Sequence, residues 1–119
     1  MMPMDLILSV IEFVGITEDD FASKSRKQPI VITKVIVSYC LLYVGVSNTM
    51  IGKIILKDHA SITHYKKLVE NDLFIQRWIE RYKKHMEDLG WYVPSLEEWE
   101  KGKFNVDRDW ETNRFLLTS

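Results

Sequence analysis

Between Lys57 and His64 the chain reads Lys57-Asp58-His59-Ala60-Ser61-Ile62-Thr63-His64, its richest run of side chains able to exchange hydrogen bonds with base edges. At 100° per residue, Ala60, Thr63, His64 and Lys67 share one side of a helix with Ser61 at its margin, and Ile62, Tyr65, Lys66 and Val69 fall on the other, the apolar members facing the core. The outer side is small near its start and basic further along. A base-reading helix needs that order: low bulk against base edges, cations against phosphate. Asp58 could accept from a cytosine amino group, or it could cap its own helix through the backbone N–H of Ala60 or Ser61.

Other chemistry finds no residue set. His59 and His64 are five apart, so they do not stack on one helical face, and no cysteine or second carboxylate completes a metal site. Cys40 has no evident base partner. Glu97, Glu98 and Glu100 surround a short helix and read most simply as solvated. The nearest approach to a phosphate-binding loop is Gly45…Gly52-Lys53. It has six residues between the glycines and Ile54 after the lysine, and fails on both counts. The expectation is a protein that is not an enzyme and uses no cofactor, metal or nucleotide.

Charge is unevenly distributed. Met1–Ala22 carries five acids and no base, Ser23–Lys67 carries eight bases and the single acid Asp58, and Leu68–Ser119 carries eight bases and eleven acids. A net charge of -1 conceals a basic middle suited to a polyanion. The one cysteine, in an apolar run, suits a reduced, cytoplasmic protein, which DNA binding would associate with the nucleoid. Met1–Val14 has neither a basic start nor a small-residue cleavage site, so no secretory leader is expected. Pro29–Val44, the longest apolar stretch, is interrupted by Thr33, Lys34 and Ser38 and is too short for a membrane span.

The elements that must position the base-reading run follow from periodicity. Leu6, Ile7, Val10, Ile11 and Val14 predict a helix over Asp5–Val14, stopped by Gly15. Thr17 opens a short turn through Phe21. Ser23–Gln28 is a basic loop, and Pro29 starts a helix that runs to about Val44 and is apolar nearly all round, the central helix of the fold. Ser47 or Asn48 caps the next helix, through Ile55. Leu56–Asp58 is a turn, and His59–Glu70 is the candidate recognition helix. Asp72–Leu89 is a further helix, separate from or continuous with the last, ended by Gly90. Ser95 and Glu98 form a capping box before a short helix to Lys101, and Phe104–Ser119 is irregular. Trp78, Tyr82, Trp91, Tyr92, Trp99, Phe104 and Trp110 admit three roles: completing the core, anchoring a partner or second copy, or stacking on single-stranded bases, the last opposed by the local acidity.

The stretch SKSRKQPIVITKVIVSYCLLYVGVSNTMIGKIILKDHASITHYKKLVE resembles the C-terminal DNA-binding domain of the bacterial replication initiator DnaA. Ile51-Gly52 and Lys57–His64 carry the closest local likeness, GITEDDFASKSRK resembles the approach to that family's basic loop, and the likeness covers about Asp5–Leu73. It implies an all-α, compact helical bundle with an embedded helix-turn-helix, Trp-repressor-like, in residues 1–72. Residues 73–119 would form an aromatic helical extension that packs on it or offers a partner surface. It also implies major-groove contacts from Lys57, Asp58, His59, Ala60, Ser61 and His64. Backbone or minor-groove contacts would come from Lys24, Arg26, Lys27, Lys34, Ser47, Lys53, Lys66 and Lys67. Ala60 replaces a threonine of the family, Thr33-Lys34 stands where it has Arg-Gln, and the turn before Lys57 is shorter and lacks its glycines. These departures suggest the same mode of binding on a different site.

The expected function is sequence-specific binding of double-stranded DNA in replication initiation or its regulation. A stand-alone domain of this kind would suit a phage or mobile element. The alternative is a non-catalytic adaptor that keeps the fold and contacts a replication or transcription partner. A protein partner or homodimer would use the C-terminal extension, and neither membrane nor nucleotide is expected as a partner.

Overall fold

Local capping chemistry divides the chain into helices. The computed structural model describes residues 3–57 and 59–102, with the backbone alone at Pro3, His59 and Gly102. Among these residues all regular structure is α-helical: α1 Pro3–Val14, α2 Glu18–Ala22, α3 Gln28–Tyr43, α4 Asn48–Ile55, α5 His59–Asn71, α6 Leu73–Asp88 and α7 Leu96–Gly102. The protein is an all-α helical bundle. Expectations for Phe104–Ser119, including the roles of Phe104 and Trp110, lie outside the described residues.

Each boundary has a chemical cause. Thr17 and Asp20 exchange side-chain and backbone hydrogen bonds of 3.0 and 3.1 Å at the start of α2. Ser95 and Glu98 do the same before α7, at 3.1 and 3.3 Å, satisfying donors that the first turn leaves unpaired. Ser47, rather than Asn48, caps α4 by accepting from the Met50 amide at 3.2 Å. Gly45 ends α3 and Gly90 ends α6 at φ +91° and +88°, a left-handed turn that satisfies the last carbonyls.

Whether α5 and α6 are one rod is decided at Asp72. Its backbone leaves the helical region (φ -98°, ψ 109°) and its Oδ1 accepts from the Ile75 amide at 3.2 Å. The Gln76 amide reaches back to the Val69 and Glu70 carbonyls at 2.9 and 3.1 Å. One helix ends and the next begins, with the Val69 and Glu70 carbonyls and the Ile75 amide satisfied by side chains.

α3 is the axis of the bundle and packs against α1, α2, α4, α5, α6 and α7. Its faces are buried nearly all round, as an all-apolar periodicity requires. Its polar members are absorbed locally: Thr33 and Ser38 donate to the carbonyls four residues back, at 2.8 Å each. One apolar cluster joins Leu6 and Val10 of α1, Ile51 of α4, Tyr65 and Val69 of α5, Ile75 and Tyr82 of α6 and Trp99 of α7. Trp99 stacks on Tyr39 of α3, and Phe13 of α1 meets Trp78 and Tyr82 of α6 edge-on. Of the aromatics of the described extension, Tyr82 and Trp99 are in the core and Trp78 and Trp91 pack against it. No helix of the described residues is long and apolar enough to cross a membrane.

Candidate nucleic-acid interface

Two basic segments, far apart in sequence, converge on one trough. The first is the arm between α2 and α3. Ser23 and Ser25 are half-buried while Lys24 and Arg26 are exposed, so the arm alternates inward hydroxyls with outward cations. The hydroxyls form a ladder: Ser23 Oγ donates to the Asp20 carbonyl at 2.7 Å, the Ser25 amide donates to Ser23 Oγ at 3.3 Å, and the Lys27 amide donates to Ser25 Oγ at 3.1 Å. Serines are suited to this because their short side chains can replace a backbone partner where no helix or sheet supplies one.

The second segment is the connection from α4 to α5. α4 ends on Leu56, which adopts left-handed geometry (φ 60°, ψ 43°), and the Lys57 amide closes the turn onto the Gly52 carbonyl at 2.8 Å. Three residues separate α4 from α5, a helix–turn–helix connection. The apolar side of α5, with Ile62, Tyr65 and Val69, is buried in the core. Ala60, Thr63, His64 and Lys67 are exposed, as the helical spacing predicts.

The segments meet at a hollow of about 840 Å³ lined by Lys24, Arg26, Thr49, Gly52, Lys53, Leu56, Lys57 and Ser61. A second, of about 490 Å³, is lined by Arg26, Val31, Lys57, Ala60, Ser61, His64 and Tyr65. Arg26, Lys57 and Ser61 border both, so the two hollows adjoin. Among the described residues no carboxylate lines either hollow. Four cations around polar hydroxyls make a site for a large anion; its open shape suits a polymer laid across it more than an enclosed small molecule.

Of the residues proposed from sequence, Lys24, Arg26, Lys53, Lys57, Ala60, Ser61 and His64 are gathered at this trough. Lys27 is exposed at the N-cap of α3, and Lys67 is exposed on the outer side of α5 beyond the trough. Ser47 uses an oxygen lone pair for its cap and keeps its O–H free to donate. Lys66 is half-buried on the flank of α5 that turns away from the arm. Asp58 and the His59 side chain lie outside the described residues.

Lys34 is a correction. It is only 1% exposed, so it makes no contact with an external phosphate. Its Nζ donates to the Ser23 carbonyl at 2.9 Å and lies 5.6 Å from the Phe21 ring centroid. Burial, with a smaller contribution from the Lys57 cation, lowers its pKa from the ordinary lysine value. Its position on α3 puts it beneath the arm, a fact that a helical wheel of an all-apolar helix does not disclose.

Two features were not anticipated. Thr49 on α4 lines the first hollow and brings a hydroxyl one turn before Lys53. Leu73, Phe74, Arg77, Arg81 and Lys84 make an exposed row along α6, with Leu73 59% and Phe74 46% exposed. Their i, i+4 and i+7 spacing was visible in the sequence, but the acidity of the surrounding stretch masked it. Among the described residues no three His, Cys, Asp or Glu side chains are grouped to hold a metal ion. The Cys40 thiol is buried and its pKa is pushed well up by that burial, which leaves it unreactive as a nucleophile.

No family model, curated protein or solved structure matches this chain.

Proposed function

We propose that the chain binds double-stranded DNA sequence-specifically, presenting α5 to the major groove and the Lys24–Arg26 arm to the neighbouring backbone or minor groove. The resemblance to the DnaA DNA-binding domain suggested this reading. The observation that carries it is the pair of adjoining hollows at which Arg26, Lys57 and Ser61 join the arm to α4 and α5, with no carboxylate lining either among the described residues. In this arrangement the cations give affinity and orientation, and Ala60, Ser61 and His64 are the exposed or half-exposed groups that meet base edges. The role is in replication initiation or its regulation, in the cytoplasm, for a phage or mobile element.

The test is selection of bound duplexes from a random library, followed by a gel shift on the selected and scrambled sequences. A recovered consensus that outcompetes scrambled DNA supports the proposal. No retardation of random duplex at low salt, at about tens of micromolar protein, overturns it, since non-specific binding falls in that range.

A second reading, a non-catalytic adaptor for a replication or transcription partner or a second copy, is favoured by the exposed row on α6. Apolar Leu73 and Phe74 run into the cations Arg77, Arg81 and Lys84 with the exposed Glu80 among them, a mixture with a net positive charge that fits an acidic protein surface.

A further inference from the structure

We propose that Lys34 is a positioning residue: from inside the bundle it ties the basic arm to α3 and so fixes where Lys24 and Arg26 meet the duplex. The inference rests on the DNA-binding reading and assigns a role within it to a residue that cannot touch DNA.

The arm runs from Ser23 to Lys27 between two helices. Its serine ladder joins it to itself and to the end of α2. Lys34 Nζ on the Ser23 carbonyl ties the start of the arm to α3, while its other end is held where the Lys27 carbonyl accepts from the Ile30 and Val31 amides. Ser23 is also the C-cap of α2 and the first rung of the ladder. One bond at this point therefore sets the origin from which Lys24 and Arg26 alternate outward.

The residue type needs a reason. A buried ammonium is costly, and among the described residues no carboxylate pairs with this one. A methionine has similar length and would lie as well along the Phe21 ring. What lysine supplies and methionine lacks is a donor for the Ser23 carbonyl.

The role separates sharply from direct phosphate binding, because Lys34→Met removes no surface cation. The experiment compares Lys34→Met, Lys34→Arg and Lys24→Ala with the natural chain on the selected site and on random duplex, across a salt series. Lys34→Met is expected to keep the salt slope, to lose about tenfold on the selected site, the scale of a base contact put out of place, and to lose less on random duplex, where the displaced arm cations still find phosphate. Lys34→Arg should recover part of that loss. In a chain already lacking the arm cations (Lys24→Ala with Arg26→Ala), adding Lys34→Met should cost nothing further. Amide exchange at Ser25 and Lys27 in the free protein should quicken in Lys34→Met; this readout stands even if no DNA is bound, so failure of the DNA reading is distinguishable from failure of the tie. If Lys34→Met does not fold, Lys34→Leu, which also lacks a donor for the Ser23 carbonyl, takes its place. Unchanged affinity on the selected site with unchanged exchange would overturn the proposal. So would a salt slope shallower by about 0.9, the mark of one lost phosphate contact.

Discussion

Tyr39 and Trp99, sixty residues apart, are joined twice: their rings stack with centroids 5.4 Å apart, and Trp99 Nε1 donates to the Tyr39 carbonyl at 3.0 Å. The Tyr39 hydroxyl in turn donates to the Pro94 carbonyl at 2.6 Å. This clasp holds the C-terminal end of the described chain to the central helix. Replacing Trp99 by Ala should cost about 3–5 kcal/mol in chemical denaturation, through the cavity and the lost stacking. Tyr39→Phe should cost about 1–3 kcal/mol, because it leaves the Pro94 carbonyl without its partner. Losses below about 1 kcal/mol for Trp99→Ala would mean that α7 is not part of the folded unit.

The proposed DNA binding predicts two classes of binding mutant. Ser61→Ala and His64→Ala should each cost about 1–3 kcal/mol on the preferred duplex and little on random DNA. Lys24→Ala, Lys53→Ala and Lys67→Ala should weaken both alike. With about five phosphates neutralised, log K should fall against log salt with a slope near -4.5, and each lost cation should flatten it by about 0.9. Equal losses on all sequences from every one of these substitutions would exclude base reading.

Leu56 stands where a glycine is usual. It occupies left-handed backbone space at the end of α4 with its side chain 53% exposed. A branched side chain there is strained, whereas glycine is not. Leu56→Gly should therefore leave the fold intact and stabilise it by up to about 1 kcal/mol. Because Leu56 lines the trough, a changed DNA affinity in the same variant would reveal how closely the duplex approaches the turn.

Trp78 carries a buried indole N–H without a hydrogen-bond partner. Its ring meets Phe13 edge-on at 5.9 Å and lies 5.6 Å below the Arg81 guanidinium. Trp78→Phe removes the orphan donor and keeps most of the ring, so the two effects offset and stability should change by less than about 1 kcal/mol. Trp78→Ala should cost about 3–5 kcal/mol. Thermal melts of the pair measure the difference; equal losses would show that the indole N–H is satisfied in solution.

Alkaline pH should unfold the protein cooperatively. Burial pushes the Tyr39 and Tyr82 phenols and the Cys40 thiol well above their ordinary values of 10.0 and 9.0. A folded pKa above the unfolded one gives stability that is fully present below the unfolded value and lost as pH rises past it. Lys34 is shifted the other way, and its smaller effect favours the fold as pH approaches 10.5. Three raised groups outweigh one lowered group, so stability should be level to about pH 9 and fall above it. Circular dichroism against pH tests this. Tyrosinate absorbance from all five tyrosines while the protein remains helical would contradict it.

Much of the fold was legible because its signals are local. The apolar spacing of α1, α3 and α6, the serines and threonine at helix starts and the glycines at their ends act within a turn or two. They predict the helices to within a residue or two at most ends. The exposed side of α5 was legible for the same reason: one buried stripe at helical spacing dictates what faces water. Two points were left to the tertiary structure. The link between α5 and α6 depends on Gln76 reaching back across Asp72, and the place of the extension depends on the Tyr39–Trp99 clasp, whose partners no local pattern pairs.

The chain's order of residues determined where the cations and hydroxyls are, since identity and helical phase are properties of the sequence itself. Only the folded protein decided which of them share a surface. Lys24 and Arg26 reach Lys53, Lys57 and Ser61 because α2, α4 and α5 all pack on α3, and Lys34, equally basic on paper, is lost to that surface for the same reason. Charge is written residue by residue, but exposure is a property of packing between elements distant in the chain.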